Sequence, residues 1–165
     1  MDILPTAKVA SIGWLNGQGR DDENIDSYSE FTKTIDTILM GWNTYHQIVT
    51  ELSPEEWVYK DFTTYVITHN ELTSSDKIRF VNTNPGYLLK KLKEENGKDV
   101  WICGRANLVQ QLVNEDLINY YHITVIPILL GSGIRLFENG KHKIKLRLIK
   151  TLSYNGMADL IYTRR

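Results

Sequence analysis

Short apolar runs alternate with stretches of helical period along most of this chain. Thr37-Ile38-Leu39-Met40 and Val100-Trp101-Ile102-Cys103 are continuous apolar runs of strand length, each followed by a glycine. Such runs mark strands buried on both faces, as in parallel sheets. Thr63–Thr68 (TTYVIT) and Ile78–Val81 add two segments of high β propensity. Between them the period changes. Tyr28–Ile35 places Phe31 and Ile35 on one helical face, and Asn43–Leu52 carries Tyr45, Ile48, Val49 and Leu52. Asn84-Pro85 opens a helix over Gly86–Glu95, with Leu88, Leu89 and Leu92 inward, Lys90, Lys91 and Lys93 outward, and Asn96-Gly97 as its stop. Leu108, Val109, Leu112 and Val113 repeat at helical spacing after Gly104.

The ends of the chain read differently. Lys8–Leu15 is a first strand, followed by the flexible Asn16-Gly17-Gln18-Gly19 loop. Ser53-Pro54 breaks the second helix, with Ser53 capping a short turn over Glu55–Tyr59. Tyr121–Pro127 is a late strand, and Leu130-Gly131-Ser132-Gly133 a turn. Lys143–Leu148 alternates basic and apolar residues, which predicts one wet and one buried face. Asn155-Gly156 is a hairpin turn, and Asp159–Thr163 the returning strand. Helices alternating with buried strands, closed by a hairpin, predict an α/β fold with a mixed, mostly parallel sheet and an antiparallel C-terminal edge. No linker or repeat divides residues 1–165, so one domain is expected.

Composition changes this picture little. The chain is 42% hydrophobic and 24% charged, with a formal net charge of −1. No global field directs it to nucleic acid or an anionic membrane. The alternating Lys143–Lys150 segment suits a solvated sheet face better than a nucleic-acid contact. The lone Cys103 excludes an internal disulfide and sits in an apolar run. The N-terminal residues lack the charged and apolar regions of a signal peptide, and no run has transmembrane length. A cytoplasmic protein is expected. His46, His69, His122 and His142 lack metal-ligand spacing, so no metal site is expected. Asp22, Asp26 and Glu30 read as surface charge first and as a substrate carboxylate second.

Candidate chemistry collects at three strand ends: Gly41-Trp42-Asn43-Thr44, Thr68-His69-Asn70 and Gly104-Arg105-Ala106-Asn107. Ligands of open α/β sheets bind at the carboxyl ends of strands. Two of the three are glycine turns entering helices, where backbone N–H groups and the helix dipole favour phosphate. Each alone is also an ordinary connection, and neither matches a dinucleotide or Walker fingerprint.

The ordered set DTILMGWNTY, TYVITHN, GKDVWICGRANLVQQL and ITVIPILLGSGIRLF resembles the dihydrofolate reductase-like family. The resemblance is strongest to the branch with the reductase domain of bacterial riboflavin biosynthesis. It implies a three-layer fold with a mixed, mostly parallel central sheet flanked by helices. It also implies an NADPH-dependent reductase of a pteridine- or pyrimidine-like heterocycle, commonly a homodimer. Gly41, Trp42, Asn43 and Thr44 then match the first phosphate turn, and Ile67, Thr68 and His69 the adenosine side. Gly104, Arg105, Ala106, Asn107 and Leu108 match the turn over the pyrophosphate. Ile12, Trp14, Tyr28 and Phe31, with Leu130 and Gly131, border the nicotinamide and substrate. No residue is assigned as the proton donor.

Three departures stand at ligand-facing points. Trp42 occupies a position that is normally basic, and an indole cannot make charge-assisted bonds to a 2′-phosphate. NADH thus competes with NADPH as the expected cofactor. Arg105 replaces the second glycine of the second turn, and it either obstructs the pyrophosphate or clasps it. The first strand reads Ser11-Ile12-Gly13-Trp14, without the family's aspartate. Trp42 is expected at an exposed mouth, where it is able to stack on adenine. The competing expectation is a non-catalytic binding or regulatory module on the same fold.

Overall fold

The computed structural model describes residues 27–104, 106–129, 131–132, 135–137 and 143–165. The expected first strand, the glycine loop after it, and Ile12, Trp14, Arg105 and Leu130 lie outside the described residues.

The chain runs α1 (Ser27–Thr32), β1 (Ile35–Gly41), α2 (Trp42–Gln47, continued by a π-helical turn, Ile48–Leu52) and β2 (Thr63–Ile67). It continues with β3 (Ile78–Val81), α3 (Pro85–Glu94), β4 (Asp99–Ile102) and α4 (Ala106–Asn114). It closes with β5 (Tyr120–Val125), β6 (Leu146–Tyr154) and β7 (Met157–Arg164). The first four strands form a parallel sheet in the order β3-β2-β1-β4, and the last three an antiparallel sheet in the order β5-β7-β6. The α/β class and the antiparallel C-terminal edge are as expected. The described strands divide into the parallel and the antiparallel part of that expectation.

The parallel sheet is covered on both faces. On one face α3 and α4 pack Leu88, Leu89, Leu92, Val109 and Leu112 against Leu39 and Tyr65. On the other, α1 and α2 cover Ile38, Met40, Val66, Trp101 and Cys103, with Phe31, Trp42, Tyr45, Trp57 and Tyr59 at the margin. Double coverage explains why the Ile38-Leu39-Met40 run never alternates: all three are fully buried. Each fully buried aliphatic side chain of this kind contributes about 1.5–3 kcal/mol.

Several boundaries move for identifiable reasons. The first helix ends at Thr32, and Ile35 begins β1 instead of extending the helical face. Thr34 Oγ1 donates to the Phe31 carbonyl at 2.8 Å, which ties off the turn. Asn84 caps α3 as its position suggested, accepting from the Tyr87 amide at 2.9 Å. Asn96-Gly97 is no left-handed cap. Glu95 is already extended, and Gly97 instead admits Asp36, whose Oδ2 would lie 2.9 Å from an added Cβ. The late strand covers Tyr120–Val125 and stops before Pro127. The hairpin turn holds: Asn155 and Gly156 have φ of 48° and 75°, as a type I′ turn requires. Before the turn, Ile144 and Leu146 are half-buried, but Leu148 and Ile149 are exposed. Lys143, Lys145 and Arg147 are exposed, so the alternation holds as far as Arg147, and a register shift between Leu148 and Lys150 follows it.

Candidate functional site

Sheet order brings the predicted turns side by side. β1 lies between β2 and β4, in parallel with both. The register pairs Gly41 with Ile67 and Leu39 with Ile102, and the Cys103 amide donates to the Leu39 carbonyl at 2.9 Å. All three strands therefore end at one rim.

At this rim the two glycine turns touch. A Cβ added to Gly104 would lie 3.4 Å from Leu108 Cδ2, 3.7 Å from Thr44 Oγ1 and 3.8 Å from the Gly41 nitrogen. Gly41 is the N-cap of α2 with extended backbone and no side-chain capping bond. Gly41 therefore offers no side-chain acceptor to the first-turn amides of α2, which lie on the turn that carries the Thr44 hydroxyl. Amides, a hydroxyl and space that a methyl group would fill make a cradle for an oxyanion. On the β2 side, the buried Thr68 accepts from the Asn70 amide at 3.0 Å and shapes the turn. His69 is exposed and pairs through Nδ1 with Asn82 Oδ1 at 2.8 Å. Asn107 is exposed and Leu108 half-buried on α4, which begins at Ala106.

Trp42 does not stand free at the mouth. It is half-buried, with its ring 5.7 Å from Tyr45 and 5.4 Å from His46. Tyr45 and His46, three and four residues further on, lean back toward the start of α2 and meet the Trp42 ring. Asn43 is exposed beside it.

The expected substrate residues divide. Tyr28 and Phe31 of α1 come together over β4, with ring centroids 6.4 Å and 5.2 Å from Trp101. Tyr59 adds a third edge-on contact to Trp101 at 5.4 Å. Gly131, at φ 70°, has nothing within 4 Å of an added Cβ among the described residues. The Phe31 ring also meets His122 at 5.6 Å, which ties α1 to β5.

A polar cluster in the antiparallel sheet was not foreseen. Asp159 of β7 is 1% exposed. It accepts from Thr124 Oγ1 at 2.6 Å and from Tyr154 Oη at 3.1 Å, and it pairs with His122 Nε2 at 3.3 Å. The signal in the sequence was an acidic residue inside the apolar run Met157–Tyr162, at a register position facing Thr124.

This arrangement is that of an α/β protein of the dihydrofolate reductase-like class. The model of the RibD C-terminal domain family matches residues 9–158. The chain belongs to that family. Two relatives from Bacillus subtilis (strain 168) carry no described activity. YwjB is 37% identical over 99% of this chain and 92% of its own length, and YyaP is 28% identical over 82% and 77%. A crystal structure from Shewanella sp. PV-4, provisionally ascribed to riboflavin biosynthesis, superposes with a TM-score of 0.79 at 23% identity, covering 96% of this chain and 90% of that one. Acinetobacter baumannii RibD gives 0.62 at 14% identity over 84% of this chain, which spans 49% of the RibD chain. At these identities the structural likeness establishes the fold.

Proposed function

We propose that this protein is a nicotinamide-dependent reductase of a pteridine- or pyrimidine-like heterocycle. The observation that carries the reading is the contact between the two glycine turns, where Thr44 Oγ1, the Gly41 amide and the Gly104 backbone meet within about 4 Å of one point. These residues fit a dinucleotide's phosphates: the α2 amides and the Thr44 hydroxyl donate, and Gly104 leaves room for close approach. Ile67, Thr68 and His69 lie on the adjoining strand end, where the adenosine would rest. The cofactor supplies hydride when bound. The protein holds the phosphates at the rim and presents the Phe31–Trp101 wall to a flat ring. Trp42, packed on its own helix, offers no charge to a 2′-phosphate, so NADH is accepted alongside NADPH. A second copy of the chain is the proposed partner, in keeping with the resemblance.

The test is calorimetric titration with NADPH and with NADH, followed by turnover against dihydropterins and aminopyrimidines. Saturable binding at micromolar Kd, about −8 kcal/mol, is expected for at least one cofactor. Absence of binding by either would overturn the reading and favour a non-catalytic module, for which Trp42 and Arg105 are the motivating departures.

A further inference from the structure

The rim continues past the phosphate cradle onto β2 and β3. These strands run in parallel, with Ile67 opposite Val81. Just beyond that pair the Thr68 amide donates to the Val81 carbonyl at 3.0 Å, and the Asn70 amide donates to Thr68 Oγ1 at 3.0 Å. The next residues on the two strands, His69 and Asn82, then meet side chain to side chain, with His69 Nδ1 and Asn82 Oδ1 2.8 Å apart. Both are exposed. A hydrogen bond between exposed side chains orders two sets of rotamers for little gain in stability, and backbone bonds already tie these strand ends. The bond instead orients the Asn82 amide. Its oxygen can only accept, so it is engaged by His69, and its Nδ2 keeps two N–H donors for another group.

Sheet order relates this pair to the cradle. The cradle lies at the ends of β1 and β4, the pair at the ends of β2 and β3. Neighbouring strands lie about 4.8 Å apart, so the pair stands two spacings, about 10 Å, along the rim. A nucleotide held by its phosphate in the cradle reaches that far with its sugar and base. The residues at the ends of β1, β2 and β3 (41–44, 67–71 and 82–84) include no lysine or arginine, and Glu71, two residues past His69, adds an exposed carboxylate. A 2′-phosphate calls for charge-assisted partners, whereas a ribose hydroxyl is satisfied by an uncharged amide. We propose that Asn82, oriented by His69, donates to the 2′-hydroxyl of the adenosine ribose and makes the protein prefer NADH to NADPH. This rests on the reductase reading above. Asn82 is the contact, and His69 is a positioning residue that acts through it.

The experiment is calorimetric titration of the full chain with NADH and with NADPH at one ionic strength. Wild-type protein is expected to bind NADH at least about fivefold more tightly than NADPH. Asn82→Ala is expected to weaken NADH about tenfold, the loss of one hydrogen bond, and to cut the NADH-to-NADPH preference at least about threefold. His69→Ala is expected to cut the same preference in the same direction by a smaller factor, a change in selectivity that a merely structural role would not produce. Asn82→Lys supplies the missing charge and is expected to reverse the preference. Because both side chains are exposed, the variants are expected to melt with the wild type. A wild-type preference below fivefold, or one for NADPH, overturns the proposal, and so does an Asn82→Ala protein in which the two Kd values move together. A wild-type protein that binds neither nucleotide instead overturns the reductase reading itself.

Discussion

Gly104→Ala separates the site from the fold. Gly104 does not need the left-handed backbone region, so alanine is conformationally acceptable there. Its methyl would meet Leu108 Cδ2 at 3.4 Å, within ordinary contact, and no backbone atom nearer than the Gly41 nitrogen at 3.8 Å. The expected change in stability is within about 1 kcal/mol, or about 2–4 °C in Tm. The same methyl fills the wedge between Thr44 Oγ1 and the Gly41 amide, where a phosphate oxygen would accept. Loss of two charge-assisted hydrogen bonds, each worth about 1.5–3 kcal/mol, removes roughly 3 kcal/mol or more from binding. That corresponds to a rise of about 100-fold in the Kd for NADPH or NADH. Calorimetry gives the Kd and thermal melting the Tm. Gly97→Ala is the control with the opposite signature, because its Cβ would press on Asp36 Oδ2 at 2.9 Å while Asp36 accepts from the Lys98 amide. It should lower Tm and leave Kd alone. A Gly104→Ala protein with unchanged Tm and a Kd within threefold of wild type would refute the placement of phosphate between the turns.

Other outcomes follow from the same geometry. Thr44→Val, which removes only the hydroxyl, should raise the cofactor Kd about tenfold with little change in Tm; calorimetry checks this. Asn84→Ala removes the acceptor for the Tyr87 amide and should cost about 1 kcal/mol in denaturant unfolding. Leu112→Ala empties a fully buried position between α4 and the sheet and should cost about 2–5 kcal/mol by the same assay. Burial holds the Tyr121 phenol above its ordinary value. Because the folded value is raised, its contribution is complete below about pH 10 and is lost as pH rises through the folded value. Burial lowers the Lys93 ammonium and acts with the opposite sign nearby. The readout is therefore the difference in Tm between wild type and Tyr121→Phe from pH 8 to 11, which should be flat below about pH 10 and narrow above it.

The architecture was legible where one local signal dominated. The Ile38-Leu39-Met40 run announced a strand covered on both faces, and Asn84-Pro85 and Asn155-Gly156 marked a helix start and a hairpin by backbone chemistry alone. The contact between Gly41–Thr44 and Gly104 was legible only through strand order, which the parallel pairing of β1 with β4 supplies. Trp42 misled because its turn position suggested exposure, whereas packing on Tyr45 and His46 decides its place. Alternation in Lys143–Leu148 was legible as far as Arg147, but it did not reveal that Leu148 stands exposed beside the register shift before Lys150. The Asp159 cluster joins residues about 35 positions apart through the β5–β7 register, so neither segment reveals it alone.

The most direct test of the central claim is amide chemical-shift mapping of ¹⁵N-labelled protein with NADP⁺ and, separately, NAD⁺. The account predicts shifts concentrated at Gly41–Thr44, Ile67–His69 and Gly104–Leu108, the three strand ends of one rim. Saturating nucleotide that leaves those amides unmoved, or moves only residues elsewhere, would contradict it.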